Sequence, residues 1–146
     1  MSGGQTGADR AALDWAIAHR VPHGGWCPAG RLAEDGWIPE RYQLRETPTS
    51  SYPERTRRNV EDSDATLIVS PHSPEGGTLL TLRHAEQVNK PVLVVTLETE
   101  EQAPLLLRSF IREHQVGTLN VAGPRVSGSA EVEDMVRHLL DATFEY

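Results

Sequence analysis

Cysteine, lysine and aromatic side chains are all scarce in this chain, and each scarcity removes a class of protein. The one cysteine, Cys27, excludes an internal disulfide framework and fits a reducing compartment, with the cytoplasm as the default. Aromatics make up 5% of the residues and hydrophobic residues 38%, which points to a core of alanine, leucine and valine. No apolar run approaches a membrane span, since the longest, such as residues 91–95, are strand-sized. The start shows no basic region leading into an apolar stretch, so no secretory signal is expected. Lys90 is the only lysine and the formal net charge is -7, which argues against a nucleic-acid backbone as partner.

The basic charge that is present comes as arginine. Six arginines lie between Arg31 and Arg58, interleaved with Glu34, Asp35, Glu40, Glu46 and Glu54, so this stretch is about neutral within an acidic chain. A guanidinium fork matches phosphate or carboxylate oxygens, and Arg31 and Arg55 are candidates for that role. A salt-bridged, solvated face is the alternative for any one of them. The 146 residues fit one domain, 1–146, that buries roughly two thirds of its unfolded surface.

From residue 65 onward strands and helices alternate. Residues 65–70 read as a short buried strand ending at Ser70, and 78–89 as a helix with Leu79, Leu82 and Ala85 on one face. Pro91 stops that helix and 92–97 form the next strand. A third helix starts near Pro104 and carries Leu107, Phe110, Ile111 and His114; residues 118–122 make a further strand. Ser127 to Ser129 are placed to cap a last helix, with Glu131 and Glu133 early and Arg137 and His138 late. This alternation predicts parallel βαβ units in a Rossmann-like three-layer αβα sandwich with a mainly parallel sheet. Residues 21–51 are irregular and rich in Gly and Pro, with one short strand expected near 42–46.

The strongest site signal is Ser2-Gly3-Gly4-Gln5-Thr6-Gly7, which opens a helix over 8–19. Free N–H groups at a helix start bind anions, and glycines let that backbone approach a phosphate closely. Thr6 adds a hydroxyl, and Asp9 and Arg10 occupy the first turn. The run matches neither the dinucleotide fingerprint nor a P-loop. A strand should precede it, yet only Met1 and Ser2 do. Either the chain given starts late, or the sheet is built without its usual first strand. A second loop, Pro74-Glu-Gly-Gly-Thr78, also joins a strand to a helix. The two loops are expected to face each other where the strand order reverses, so Gly76, Gly77 and Thr78 join Gly3 to Gly7 in one site. A helix from Pro53 sets Arg55 and Asn59 on one face. Asn59 has two equal readings there, contact with a ligand or a tie to a neighbouring loop. Trp26 and Trp37 either stack on a heterocycle or fill the core. His23 and Cys27 do not make a metal site, and no metal is expected on protein side chains.

The segments 2–13, 22–31 (Pro-His-Gly-Gly-Trp-Cys-Pro-Ala-Gly-Arg), 33–36, 55–60, 62–68 and 76–78 together resemble the "putative molybdenum carrier" family. That family falls in the Rossmann-like superfamily that includes the Lonely Guy phosphoribohydrolases and the DNA-processing protein DprA. The resemblance implies a cytoplasmic homo-oligomer, a dimer or tetramer, that holds molybdenum cofactor (molybdopterin) for storage or transfer, with molybdoenzymes as further partners. Where Lonely Guy enzymes have Gly-Gly-x-Gly-Thr-x-x-Glu, this chain has Pro74-Glu-Gly-Gly-Thr78 without the extra glycine, and then Leu80-Thr81-Leu82 after Leu79. No acid stands at the matching place, which weakens a hydrolase reading. A small phosphate-bearing ligand bound by a carrier is therefore the leading expectation. The alternatives are an N-glycosidase acting on nucleotides, with Glu34, Asp35 or Asp9 as its acid, and a nucleotide-sensing module.

Overall fold

The computed structural model describes residues 1–144. In chain order its elements are α1 (Ala8–Ala18), β1 (Trp26–Cys27), β2 (Leu32–Ala33), β3 (Gly36–Trp37), β4 (Arg45–Glu46), α2 (Tyr52–Glu61), β5 (Ala65–Val69), α3 (Gly76–Gln87), β6 (Val92–Val95), α4 (Ala103–Glu113), β7 (Leu119–Ala122) and α5 (Val132–Thr143). All five positions of β5 are buried. That strand is the middle of a parallel sheet ordered β6-β5-β7, with Thr66 opposite both Val92 and Asn120. Helices α1, α4 and α5 pack together on one face, and α2 and α3 on the other. Cover on both faces is why β5 reads as an uninterrupted apolar run. The Rossmann-like αβα architecture expected from the alternation is the one observed.

The main core joins Leu67 and Val69 of β5 to Ala12, Trp15, Leu107, Phe110, Val136 and Leu140 of the helices. Full burial of each such leucine or valine contributes about 1.5–3 kcal/mol. A second, smaller cluster of Leu13, Cys27, Ala33, Ile38 and Tyr42 roots the irregular region. That region holds β1 to β4, each only two residues long. Two residues cannot display a period, so only the strand near 42–46 was visible in the sequence, and it shortens to β4.

Met1 and Ser2 run beside β7 ahead of the first glycine loop. The Met1 nitrogen donates to Leu119 O (2.7 Å) and Val121 N–H donates to Met1 O (2.9 Å), a parallel bridge opposite Asn120. Ser2 N–H then donates to Gly24 O (3.0 Å), and Gly25 O and Cys27 O accept from Arg45 and Thr47 (2.8 Å each). Main-chain pairing therefore continues from β7 through Met1 and Ser2 to β1 and β4. Gly25 permits it: its φ is 144° and a Cβ there would lie 1.9 Å from Ser2 O.

Several boundaries differ from expectation. Helix α3 spans Gly76–Gln87 and not 78–89, so the second glycine pair opens the helix. Ser127 and Ser129 do not cap α5, which begins later at Val132 with no side-chain cap. Glu34 draws Ser127 away, accepting from its hydroxyl and its N–H. Because α5 runs on to Thr143, Arg137 sits mid-helix beside Asp134 and the last turn holds no basic residue. Strand β6 stops at Val95, where Thr96 caps a 3-10 turn and its N–H donates to Thr99 Oγ1 (3.1 Å). No helix among the described residues is long and apolar enough to cross a membrane.

Candidate functional site

Strand β5 leads through α3 to β6 on one side, and β6 returns through α4 to β7 on the other. Open α/β sheets bind ligands outside the C-terminal strand ends at such a reversal. A cleft of about 650 Å³ lies there, within the usual size of small-molecule sites. Gly3, Gln5 and Asp9 line it from the first glycine loop, and Ser70, Gly76, Gly77 and Thr78 from the second. Residues 120–125 lie between them, and Tyr52, Arg55 and Asn59 of α2 complete the wall.

The first loop is largely satisfied by the chain itself. Asp9 is 5% exposed, and its Oδ2 accepts from Gln5 N–H (3.2 Å) and Arg55 Nη1 (2.8 Å), with Gly3 N–H adding a further contact. Burial pushes the Asp9 carboxyl above its ordinary value, while Arg55 and the two N–H groups act in the opposite sense. Ala8 N–H donates to Pro124 O (3.2 Å) and Thr6 N–H to Gln5 Oε1 (3.1 Å). An internal carboxylate thus occupies donors that the sequence offered to a phosphate. The glycines serve close packing. A Cβ on Gly3 would lie 1.9 Å from Arg55 Nη1, on Gly4 2.6 Å from Leu44 Cδ1, and on Gly7 2.3 Å from Pro124 O.

The second loop is open. Helix α3 starts at Gly76 with Glu75 in the capping position, and no side chain caps it. Thr78 and Leu79 donate to Glu75 O (3.0 and 3.1 Å). The N–H groups of Gly76 and Gly77 have no acceptor among the described residues. A Cβ on either glycine would meet nothing within 4 Å. Exposed donors at the positive end of a helix dipole, facing a cleft, are suited to an anion.

Other candidates take structural roles. Thr6 donates to Glu34 and accepts from Val126 N–H (3.2 Å). Hydroxyls of Ser127 and Thr6 hold the Glu34 carboxyl below its ordinary value. Arg10 pairs with Asp35, lowering that carboxyl, and its Nε donates to Gly4 O (3.0 Å). Arg31 donates to the carbonyls of Ile38, Pro39, Tyr42 and Leu44 (2.9–3.4 Å), tying the small cluster together away from the cleft. Asn59 decides between its two readings: Trp26 N–H donates to its Oδ1 (2.8 Å) and its Nδ2 donates to Trp26 O (2.9 Å). Trp26 lies by Arg58 and Arg45 and Trp37 is 54% exposed by Arg31, neither lining the cleft. His23 accepts from Gln43 N–H (3.2 Å), and burial pushes the Cys27 thiol up. No group of three or more His, Cys, Asp or Glu among the described residues is placed to hold a metal ion.

The sequence reading missed Tyr52, Arg125 and Ser129 as cleft residues. Arg55 and Arg125 lie 5.6 and 5.8 Å from the Tyr52 ring centroid. Three buried side-chain atoms have no partner among the described residues: Gln5 Nε2, Arg55 Nε and Ser129 Oγ. All three residues line this cleft, and leaving a buried donor unpaired costs about 1–3 kcal/mol.

The sequence pattern described as "Circularly permutated YpsA SLOG family" matches residues 1–144. A crystal structure titled "Putative molybdenum carrier protein", from Syntrophus aciditrophicus SB, is 50% identical to the chain. That match covers 98% of this chain and 92% of the other, with a TM-score of 0.96. Among the curated proteins none matches. The chain belongs to the circularly permutated YpsA SLOG family.

Proposed function

We propose that this member of the permutated YpsA SLOG family binds a phosphate-bearing small molecule, molybdenum cofactor, and carries or stores it. The observation that carries this reading is the uncapped start of α3, where Gly76 and Gly77 present free N–H groups to a 650 Å³ cleft. The name of the Syntrophus relative supports molybdenum as the cargo. The residues fit the organic part of such a group. Backbone donors at Gly76 and Gly77 suit its phosphate. When bound, the cofactor supplies a metal on its own dithiolene sulfurs. The chain's part is to hold the phosphate and the ring and to limit water around them.

A hydrolytic role has less support. The acids lining the cleft are Asp9 and Glu75, and Asp9 is held by Arg55 and Gln5. Glu34 and Asp35 are tied to Thr6, Ser127 and Arg10 and do not line the cleft. Glu75, exposed at the start of α3, is the carboxylate that such a role would have to use. Self-association as a dimer or tetramer and transfer to molybdoenzymes belong to the same proposal. Leu105 and Leu106 of α4, 68% and 42% exposed, support the former.

Purified protein mixed with molybdenum cofactor released from a molybdoenzyme should slow its oxidation and gain thermal stability. A ligand at a hundred times its Kd adds about 2.7 kcal/mol. Gly77→Val should abolish both effects while the unliganded Tm stays nearly unchanged, because its Cβ enters open space. Absence of binding at micromolar concentrations would reject the proposal.

A further inference from the structure

Resting on the ligand reading above, we infer that Arg125 is the cation that recognises the ligand's phosphate, balancing the charge that the start of α3 leaves unmatched. A phosphate monoester carries about -1.5 to -2 at neutral pH. The N-terminus of a helix offers about half a positive charge. Glu75 stands exposed at that same helix start, and the chain as a whole is at -7. Gly76 and Gly77 can therefore orient a phosphate but not neutralise it, and a cation has to do that. Two arginines line the cleft, Arg55 and Arg125. Arg55 is engaged by Asp9 at 2.8 Å, and its side chain is 14% exposed. The Arg125 side chain is 46% exposed. Its ionic contact among the described residues is Glu34 Oε2, 4.0 Å from its Nε and beyond hydrogen-bond length. That carboxylate is already met by the hydroxyls of Thr6 and Ser127 and by the Ser127 N–H.

The main chain around Arg125 is held while its head is not. The first glycine loop and its partners supply the hold. Ala8 N–H donates to Pro124 O (3.2 Å), Val126 N–H to Thr6 Oγ1 (3.2 Å) and Ser127 N–H to Glu34 Oε1 (3.1 Å). The N–H groups of Gly128 and Ser129 close a turn onto Arg125 O (2.9 and 3.0 Å). Gly7 admits this segment, since a Cβ there would lie 2.9 Å from Arg125 Cα. The guanidinium carbon stands 5.8 Å from the ring centroid of Tyr52, which also lines the cleft. A guanidinium over a ring keeps its in-plane N–H groups free, and these form the fork that fits two phosphate oxygens. With its backbone already ordered, binding costs little beyond fixing one side chain. The first loop thus serves the site indirectly, by presenting an arginine from its neighbour.

The test is calorimetric titration of the full chain with inorganic phosphate, adenosine monophosphate and 6-hydroxymethylpterin phosphate, with adenosine as the phosphate-free control. Every phosphate that binds the wild type should bind Arg125→Gln roughly tenfold or more weakly, as expected for a lost charged hydrogen-bond partner. Adenosine should bind both proteins alike, and phosphate affinity should fall less steeply with salt in the variant. The tightest of the three phosphates tells whether the source is free phosphate, nucleotide or pterin. Arg125→Met, a second neutral variant that keeps an unbranched stem over Tyr52, decides in the same way should Arg125→Gln fail to fold. Equal phosphate affinity in wild type and the neutral variant, or an equal loss for adenosine, overturns the inference and leaves the ligand reading standing. No binding of any of the three phosphates by the wild type overturns both.

Discussion

The two glycine loops flanking the end of β7 look alike in sequence, each placing a Gly-Gly pair near the start of a helix, yet the structure gives their glycines opposite purposes. In residues 3–7 the missing side chains let other groups in the protein come close: Arg55 against Gly3, Leu44 against Gly4, the Pro124 carbonyl against Gly7. The N–H groups of Gly3 and Gln5 meet Asp9, that of Thr6 meets the Gln5 side chain, and that of Ala8 meets Pro124 O. At Gly76 and Gly77 nothing in the protein comes close, and the N–H groups stay free. A glycine required by tight packing and a glycine that leaves room for a ligand produce the same letters. The volume around the absent Cβ tells them apart.

The largest expected effect that tests this contrast is at Asp9. Asp9→Ala removes the acceptor for Gln5 and Arg55 and leaves a mostly buried guanidinium unpaired. Loss of one partner of such a pair costs about 3–5 kcal/mol, readable as a lower urea midpoint. A loss below about 1 kcal/mol would mean that Asp9 does not organise the first loop, and the contrast would fail. Next in size, Gly7→Ala should cost about 2–3 kcal/mol, since φ is 84° and the new Cβ would meet the Pro124 carbonyl. The matching Gly77→Ala should stay within about 0.5 kcal/mol in the same denaturation experiment.

The smallest effect concerns pH. Glu34 ties the first loop to residue 127, and its folded carboxyl lies below the ordinary glutamate value. A depressed acid contributes stability that is present above its unfolded value, about 4.3, and is lost as pH falls through the lower folded one. Wild-type Tm should therefore fall more steeply below about pH 4 than that of Glu34→Gln. Parallel slopes in the two proteins would show that this tie does not hold the first loop.

Much of the fold was legible because its elements are long enough to show a pattern. The run 65–69 reads as a buried strand, Pro104 marks the start of α4, and the segments 2–13, 22–31 and 76–78 carry a family resemblance that the comparisons support. The two-residue strands of 26–46 were mostly invisible. Spacing could not say that Arg31 would meet four carbonyls, or that Asn59 would hold both main-chain polar groups of Trp26. Tyr52 and Arg125 stand far apart in sequence and meet only through the sheet, so no local motif could have joined them to the cleft.

The sequence by itself determined the class of fold, the family and the two helix starts at which an anion could be held. Apolar periodicity, proline stops and glycine runs are local, and local chemistry is what a sequence records. Tertiary structure decided which of those starts is free. That choice turns on a carboxylate within one helix and a guanidinium from another, Asp9 and Arg55, meeting over Gly3. It also placed Met1 and Ser2 beside β7, where they present the first loop. Contacts between residues distant in sequence are set by packing, and packing met the N–H groups of Gly3, Gln5, Thr6 and Ala8 at the first loop while leaving those of Gly76 and Gly77 open at the second.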